Sequence, residues 1–110
     1  MKLIVVKLND RVGDNSDFVE IDINEVNYFD LWKKDSNSDK VLAFHTSKGS
    51  FLALSTLKEA HSAYCEYGFE LYDRSTGVNT QRVKEAKQHK SGSIVEFHDG
   101  STVIVRKKIY

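Results

Sequence analysis

The chain has 110 residues, which is enough for one domain with a single core and too few for two. Its hydrophobic content of 40% is typical of a globular protein, and no apolar run approaches the roughly 18 residues that cross a bilayer. Its 16 Lys and Arg residues balance its 16 Asp and Glu residues, so the composition lacks the basic excess common in nucleic-acid-binding domains.

The amino terminus and the cysteine content indicate the compartment. Leu3 to Val6 form an apolar stretch that is too short for a signal-peptide core, and no small-residue cleavage site follows it. Cys65 is the only cysteine, so no internal disulfide can form, as is usual in a reducing compartment. We therefore expect a cytoplasmic protein with no membrane partner.

The first part of the chain predicts three strands and a loop. Residues 2–8 are rich in β-branched side chains and end at a turn signal. Apolar and acidic residues alternate from Val19 to Ile23, which predicts a strand with one solvated face. Residues 26–32 predict a third strand, and the polar stretch 33–40 predicts an exposed loop.

Two hairpins are predicted from turns that contain glycine. Residues 41–46 and 50–54 predict strands joined by a tight turn with a glycine at its end. Residues 93–97 and 102–105 flank Asp99-Gly100, a dipeptide that strongly favours a two-strand connection. Both pairs therefore contribute antiparallel strands.

Between the hairpins the apolar period changes to that of a helix. We expect one short helix over about residues 56–67, begun by Ser55 or Thr56 and ended by Gly68. A helix of this length is marginal alone, so its apolar face must pack on the sheet. That face comprises Leu57, Ala60, Tyr64 and Tyr67.

The segment after the helix returns to strand periodicity. Phe69 to Tyr72 predict a strand, Thr76-Gly77 with Asn79 predict a corner, and residues 82–88 predict a twisted strand. The whole chain thus predicts a mainly β fold of short antiparallel sheets with one helix, in a single domain over residues 1–110.

Charge is distributed unevenly along this neutral chain. Residues 81–110 contain seven cations and three anions, a net charge near +4, which leaves the preceding residues near −4. A basic surface of this kind suits a polyanionic partner, although a solvated basic face with no partner is an equally simple explanation.

The sequence offers little support for catalysis or metal binding. His61 and Cys65 lie four residues apart on the predicted helix, a spacing that can join a nucleophile to its base or two metal ligands. No third ligand or orienting carboxylate stands at a motif distance, and no glycine-rich phosphate loop is present. We expect neither an enzyme nor a bound cofactor.

Nucleic acid is the partner that the cations fit best. Arg74 at the corner and Arg106 at a strand end could each offer a guanidinium fork to guanine, while Lys107 and Lys108 could anchor phosphates. The loop 33–40 adds amides and hydroxyls. For Arg74, a structural ion pair or carbonyl contact that holds the corner is the alternative.

Several short motifs occur in a set order in the second half of the chain. They are a Phe at the strand start (Phe69), Arg74-Ser75, Val78-Asn79, and a terminal hairpin whose last strand runs from Val103 to Arg106. Together with the order of elements, they make the chain resemble the LytTR DNA-binding domain over about residues 17–108. The resemblance implies a predominantly β fold with short antiparallel sheets and one small helix.

The resemblance also implies a function and a set of contact residues. It implies a bacterial-type transcriptional regulator that binds double-stranded promoter DNA by inserting loops into successive major grooves, without a cofactor or metal. At Asn79, a structural role in the corner is the alternative to DNA contact. The residues carried over are Lys33, Lys34, Ser36, Asn37, Lys40, Arg74, Ser75, Asn79, Arg106, Lys107 and Lys108.

The chain departs from the family pattern in three ways. Asp73 stands where the family often has a histidine, Asp35 and Asp39 make the loop more acidic than usual, and we expect no receiver domain. Control would then come from abundance, from a protein partner or from homodimer formation. These departures leave open an alternative function, an interaction module or inhibitor that keeps the fold and binds a protein instead of DNA.

Overall fold

The computed structural model describes residues 1–110 and consists mainly of strands. The single helix, α1 (Leu57–Tyr64), is extended by a 3-10 turn at Cys65–Tyr67. The predicted mainly β fold with one helix is therefore confirmed. The strands are β1 (Lys2–Lys7), β2 (Phe18–Asp22), β3 (Val26–Trp32), β4 (Val41–Thr46), β5 (Gly49–Ala53), β6 (Phe69–Asp73), β7 (Thr76–Asn79), β8 (Val83–His89), β9 (Gly92–Phe97) and β10 (Thr102–Val105).

The strands form two antiparallel sheets. The large sheet has seven strands in the order β2-β1-β5-β4-β3-β7-β6, and the small sheet has three in the order β10-β9-β8. The β1–β5 pairing is short, because only Val6 with Leu52 and Lys7 with Phe51 are in register. The remainder of β1 diverges from β5 while staying paired with β2.

The predicted strand from Val19 to Ile23 ends one residue early. The Asp22 carboxylate accepts a hydrogen bond from the Asn24 amide at 2.9 Å, and this local bond starts a 3-10 turn at Ile23–Glu25. Asp and Asn side chains compete in this way with the ladder bonds of a strand. Ile23 is nevertheless fully buried, as the alternation predicts.

Helix α1 begins and ends where the sequence indicates. The Thr56 hydroxyl accepts from the Glu59 amide at 3.1 Å, and the Glu59 carboxylate accepts from the Thr56 amide at 3.0 Å, which completes a capping box. Gly68 closes the following turn with φ of 97°. No helix in the structure has the length and apolar character needed to span a membrane.

Two apolar clusters hold the layers together. Helix α1 packs on the large sheet, where the ring centroids of Phe29 and Phe69 lie 5.3 Å apart and the Phe29 and Phe44 rings meet edge to face. The smaller cluster lies between the sheets and comprises Val78 from β7 with Val95, Phe97 and Val105 from the small sheet. β7 pairs with β3, which contributes Phe29 to the larger cluster, so the two clusters adjoin along this pair of strands.

The predicted corner at Thr76-Gly77 is wrong, since both residues belong to β7. The turn lies earlier, at Arg74-Ser75 between β6 and β7. Gly77 is required instead by its cross-strand partner Phe29, whose ring covers it: a Cβ at position 77 would lie 2.2 Å from the ring tip. Glycine in a strand often marks such a close approach.

A polar network around Asp99 also connects the two sheets. The Asp99 carboxylate accepts from the Asn27 amide nitrogen at 2.7 Å and from the Ser47 hydroxyl at 2.5 Å, so the β9–β10 turn is bonded to the large sheet. Arg82 Nε donates to Asn27 Oδ1 at 2.7 Å. Partial burial acts to raise the pKa of Asp99, but hydrogen bonds from Ser101, Ser47 and Asn27 outweigh it and hold the pKa well below its usual value.

Candidate nucleic-acid interface

The β6–β7 turn presents Arg74 and Ser75 to solvent. Both residues are exposed, and Asp73 shapes the turn by accepting from the Ser75 amide at 2.9 Å. Arg74 forms no ion pair and no hydrogen bond in the structure. The structural role considered for its guanidinium is therefore not observed.

Asp73 connects this turn to the end of the last strand. Its second carboxylate oxygen accepts from the backbone amide of Arg106 at 3.1 Å. Partial burial acts to raise the pKa of Asp73, but hydrogen bonds from the Ser75 and Arg106 amides and from the Thr76 and Ser75 hydroxyls outweigh it and lower the pKa. The carboxylate beside Arg74 is thus ionised and engaged by neighbouring donors.

A shallow concavity of about 830 Å³ lies between this turn, the end of β10 and the start of β4. Among its nine lining residues four are cations and one, Asp73, is an anion. We call this surface the basic concavity; its cations are Lys40, Arg74, Arg106 and Lys107. Residues from three distant segments of the chain thus converge on one side of the molecule.

The carboxyl-terminal segment is held against both sheets. The Ser93 hydroxyl in β9 donates to the Lys107 carbonyl at 2.7 Å and accepts from the Ile109 amide at 3.0 Å. Lys107 Nζ lies 3.4 Å from a Glu70 carboxylate oxygen and 5.6 Å from the centroid of the Tyr72 ring. Arg106 and Lys108 are exposed and form no ion pairs.

The loop between β3 and β4 carries the remaining predicted contacts. Asp35 folds the loop on itself by accepting from the Asn37 amide at 2.9 Å and the Ser38 hydroxyl at 3.0 Å. Of the residues predicted here, only Lys40 lines the basic concavity. Lys33, Lys34, Ser36 and Asn37 are exposed on the adjoining loop.

Asn79 differs from the other predicted contact residues because its side chain is buried. It is 1% exposed, its amide nitrogen donates to the Val26 carbonyl at 3.0 Å, and its oxygen accepts from the Gln81 amide at 3.2 Å. Both polar groups of the side chain are therefore used inside the protein. In this conformation Asn79 fastens β7 to β3 and cannot reach DNA.

The sequence identifies Asp73 only as a departure from the family pattern, and it gives no sign of the contacts of Arg82. In the structure the Asp73 carboxylate accepts from protein donors and joins two segments of the basic concavity. Arg82 belongs to the basic carboxyl-terminal third, yet it binds Asn27 and the Asn24 carbonyl. The only local signal for the role of Asp73 is that it stands two residues before Ser75, since such a pair commonly forms an Asx turn.

No group of three or more His, Cys, Asp or Glu side chains in the structure is arranged so that it could hold a metal ion. Cys65 is exposed, and its sulfur faces the Ser62 carbonyl at 3.6 Å.

Comparisons with known proteins give this surface a context. None of the curated protein sequences matches the chain significantly. A solved structure of the LytTr DNA-binding domain of a Bacillus cereus protein matches the fold with a TM-score of 0.66 and 18% sequence identity, over 92% of this chain and 84% of that chain. The family model described as LytTr DNA-binding domain matches residues 16–110. The chain therefore belongs to the LytTR family of DNA-binding domains.

Proposed function

We propose that this DNA-binding domain recognises specific promoter sequences through the basic concavity and thereby regulates transcription. The observation that carries the proposal is that Arg74 and Arg106 line one concavity and that neither guanidinium is engaged in an ion pair. Two free guanidinium groups on one side can address the same stretch of duplex.

The cations divide into two chemical roles. A guanidinium presents parallel N–H groups that fit the O6 and N7 acceptors of guanine in the major groove, so Arg74 and Arg106 are suited to reading bases. A lysine ammonium offers a point charge without bidentate geometry, so Lys40, Lys107 and Lys108 are suited to phosphates. Ser75, beside Arg74, can donate to a phosphate or a base edge.

The shape of the surface supports a loop-based docking mode. With lysines on both sides, the basic concavity can accept the phosphate ridge between grooves, while the Arg74 turn and the Lys33 to Asn37 loop enter the grooves beside it. The molecule is 43 Å long, which exceeds the roughly 34 Å between successive major-groove faces. One copy could therefore address neighbouring grooves, and paired sites would accommodate two copies.

Neither the neutral net charge nor Asp73 contradicts DNA binding. DNA responds to the local potential of the contacting surface, and the four cations that line this surface outnumber Asp73 and Glu70, the acidic partner of Lys107. Asp73 already receives hydrogen bonds from two backbone amides, which reduces the repulsion it exerts on a phosphate.

The test combines selection with quantitative binding. Genomic fragments bound by the purified chain at near-physiological salt would supply duplexes for fluorescence anisotropy. For Arg74→Ala and Arg106→Ala we expect a loss of about 1–3 kcal/mol that is concentrated on particular base pairs. For Lys40→Ala we expect a similar loss on every sequence and a salt slope that is shallower by about 0.9.

Lys84→Ala is the matched control, because Lys84 is an exposed cation of β8 that forms no ion pair and lies outside the basic concavity. It should change affinity by less than about twofold. Equal losses at Lys84 and Arg74 would contradict a specific interface. A flat titration with all duplexes, together with a co-purifying protein, would favour the alternative of an interaction module or inhibitor.

A further inference from the structure

An apolar groove opens where β1 separates from β5. The two strands share only two residue pairs, at Val6–Leu52 and Lys7–Phe51, and then diverge toward the start of β1. The groove between them has a volume of about 640 Å³, and eleven of its thirteen lining residues are hydrophobic. This size and composition are those of small-molecule binding sites.

The groove has a buried floor and an exposed apolar rim. Val5, Phe44 and Leu52 are buried along it, so the floor is formed by core residues. On the rim, Ile4 is 75% exposed, Phe18 is 57% exposed and Leu54 is completely exposed. Large apolar side chains gathered around a concave apolar floor mark a surface that gains free energy when it is covered.

Arg11 supplies the only formal charge among the lining residues. It is exposed, and it forms no ion pair or side-chain hydrogen bond in the structure. Ser55 is the other polar lining residue. The groove thus combines an apolar trough with one unpaired guanidinium.

We propose that this groove binds a medium-chain carboxylate, with the alkyl chain on the apolar floor and the carboxylate on Arg11. One guanidinium matches a carboxylate in charge and in bidentate geometry. A phosphate dianion bound to Arg11 would keep one unpaired negative charge, because no second cation lines the groove. A second copy of the chain would supply no anion from its own groove to pair with Arg11, because Arg11 is the only charged residue that lines the groove.

This site is independent of the proposed DNA contact. The groove and the basic concavity have no lining residue in common. Leu3 to Val6 and Arg11 also precede residue 16, where the family match begins, so an important part of the groove comes from outside the matched range.

The experiment compares decanoate with decanol, each below its aggregation concentration, by titration of the full chain in two-dimensional amide NMR and calorimetry. We expect saturable decanoate binding with shifts at the amides of Ile4, Leu54 and Ser55. Arg11→Glu should weaken decanoate binding about tenfold and change decanol binding by less than about twofold. Lys58→Glu, on an exposed cation of α1 outside the groove, should change neither.

Leu54→Asp is the second variant, because this exposed side chain can be replaced without disturbing the core. It should weaken binding of both ligands. The proposal is overturned if decanoate does not bind, or if Arg11→Glu and Arg11→Gln bind it as tightly as the unmodified chain. It is also overturned if sedimentation shows a dimer that Leu54→Asp abolishes, since a second copy would then occupy the groove.

Discussion

The carboxylate of Asp73 accepts a hydrogen bond from the backbone amide of Arg106 at 3.1 Å. This contact joins the turn after β6 to the end of β10, and therefore holds the backbone of Arg106 beside the turn that carries Arg74. The presence of a negative residue in the basic concavity is thus explained by its backbone partners.

The first prediction concerns this contact. Asp73→Asn keeps one oxygen for the Ser75 amide and leaves the Arg106 amide without its acceptor, so we expect DNA affinity to fall about fivefold. In an Arg106→Ala background the same change should have little effect, because the residue it positions is gone. Anisotropy titrations of the four proteins measure this coupling. Tighter binding by Asp73→Asn would instead show that repulsion of phosphate dominates.

The second prediction concerns Asp99 and acid stability. Its folded-state pKa lies below the ordinary value of 3.8, so the stabilisation is present above about pH 4 and is lost as pH falls through the folded-state pKa. We expect the free energy of unfolding to fall between about pH 5 and pH 2, and to fall less steeply in Asp99→Asn. Urea titrations at several pH values test this.

The Asp99 network can also be tested near neutral pH. Asp99→Ala removes an acceptor of Asn27, a residue that is 1% exposed, and should destabilise the protein by about 1–3 kcal/mol. Asp39→Ala is the control, since Asp39 is exposed in the β3–β4 loop and should change stability by less than about 0.5 kcal/mol. Equal effects would contradict a joining role for Asp99.

The third prediction concerns the Phe29–Gly77 pair. Gly77→Ala places a methyl group in the space of the Phe29 ring and should cost about 1–3 kcal/mol of stability. Adding Phe29→Leu should make the glycine substitution less costly, because the ring that clashes with the methyl is removed. A double-mutant cycle measured by chemical denaturation checks the coupling, and strictly additive effects would contradict it.

The fourth prediction concerns the start of α1. Thr56→Ala removes the side chain that caps the Glu59 amide and should destabilise the protein by about 1 kcal/mol. Ser55→Ala is the matched control, because the Ser55 hydroxyl makes only a long contact of 3.4 Å to the Thr56 carbonyl. Urea denaturation of both variants would reveal the difference, and a larger loss at Ser55 would reverse the assignment of the cap.

Local chemistry in the sequence predicts most of the elements. The period of Leu57, Ala60 and Tyr64, the Thr56 cap and Gly68 define the helix, and glycine turns define both hairpins. These signals act within a few residues, so they can be recognised without knowledge of the fold. The order of these elements supports the family resemblance, and the resemblance adds the expectation of DNA binding.

The errors of the sequence analysis lie where distant segments meet. Gly77 resembled a turn residue because the requirement for glycine at this position comes from the Phe29 ring, which lies on another strand. The sequence left Asn79 open between DNA contact and a structural role, because its partner, the Val26 carbonyl, is 53 positions away. The partners of Asp99 and Asp73 are similarly remote, and no spacing rule identifies such pairs.

The bond between Ser93 and the chain terminus has a consequence for how the protein would lose activity on warming. One buried hydroxyl in the small sheet holds the Lys107 carbonyl and the Ile109 amide, while Asp73 in the large sheet holds Arg106. The cationic carboxyl-terminal segment therefore depends on contacts with both sheets. If the two sheets separate, its cations lose their fixed positions. Protection of an operator from nuclease should accordingly vanish at a lower temperature than the far-ultraviolet signal of the strands.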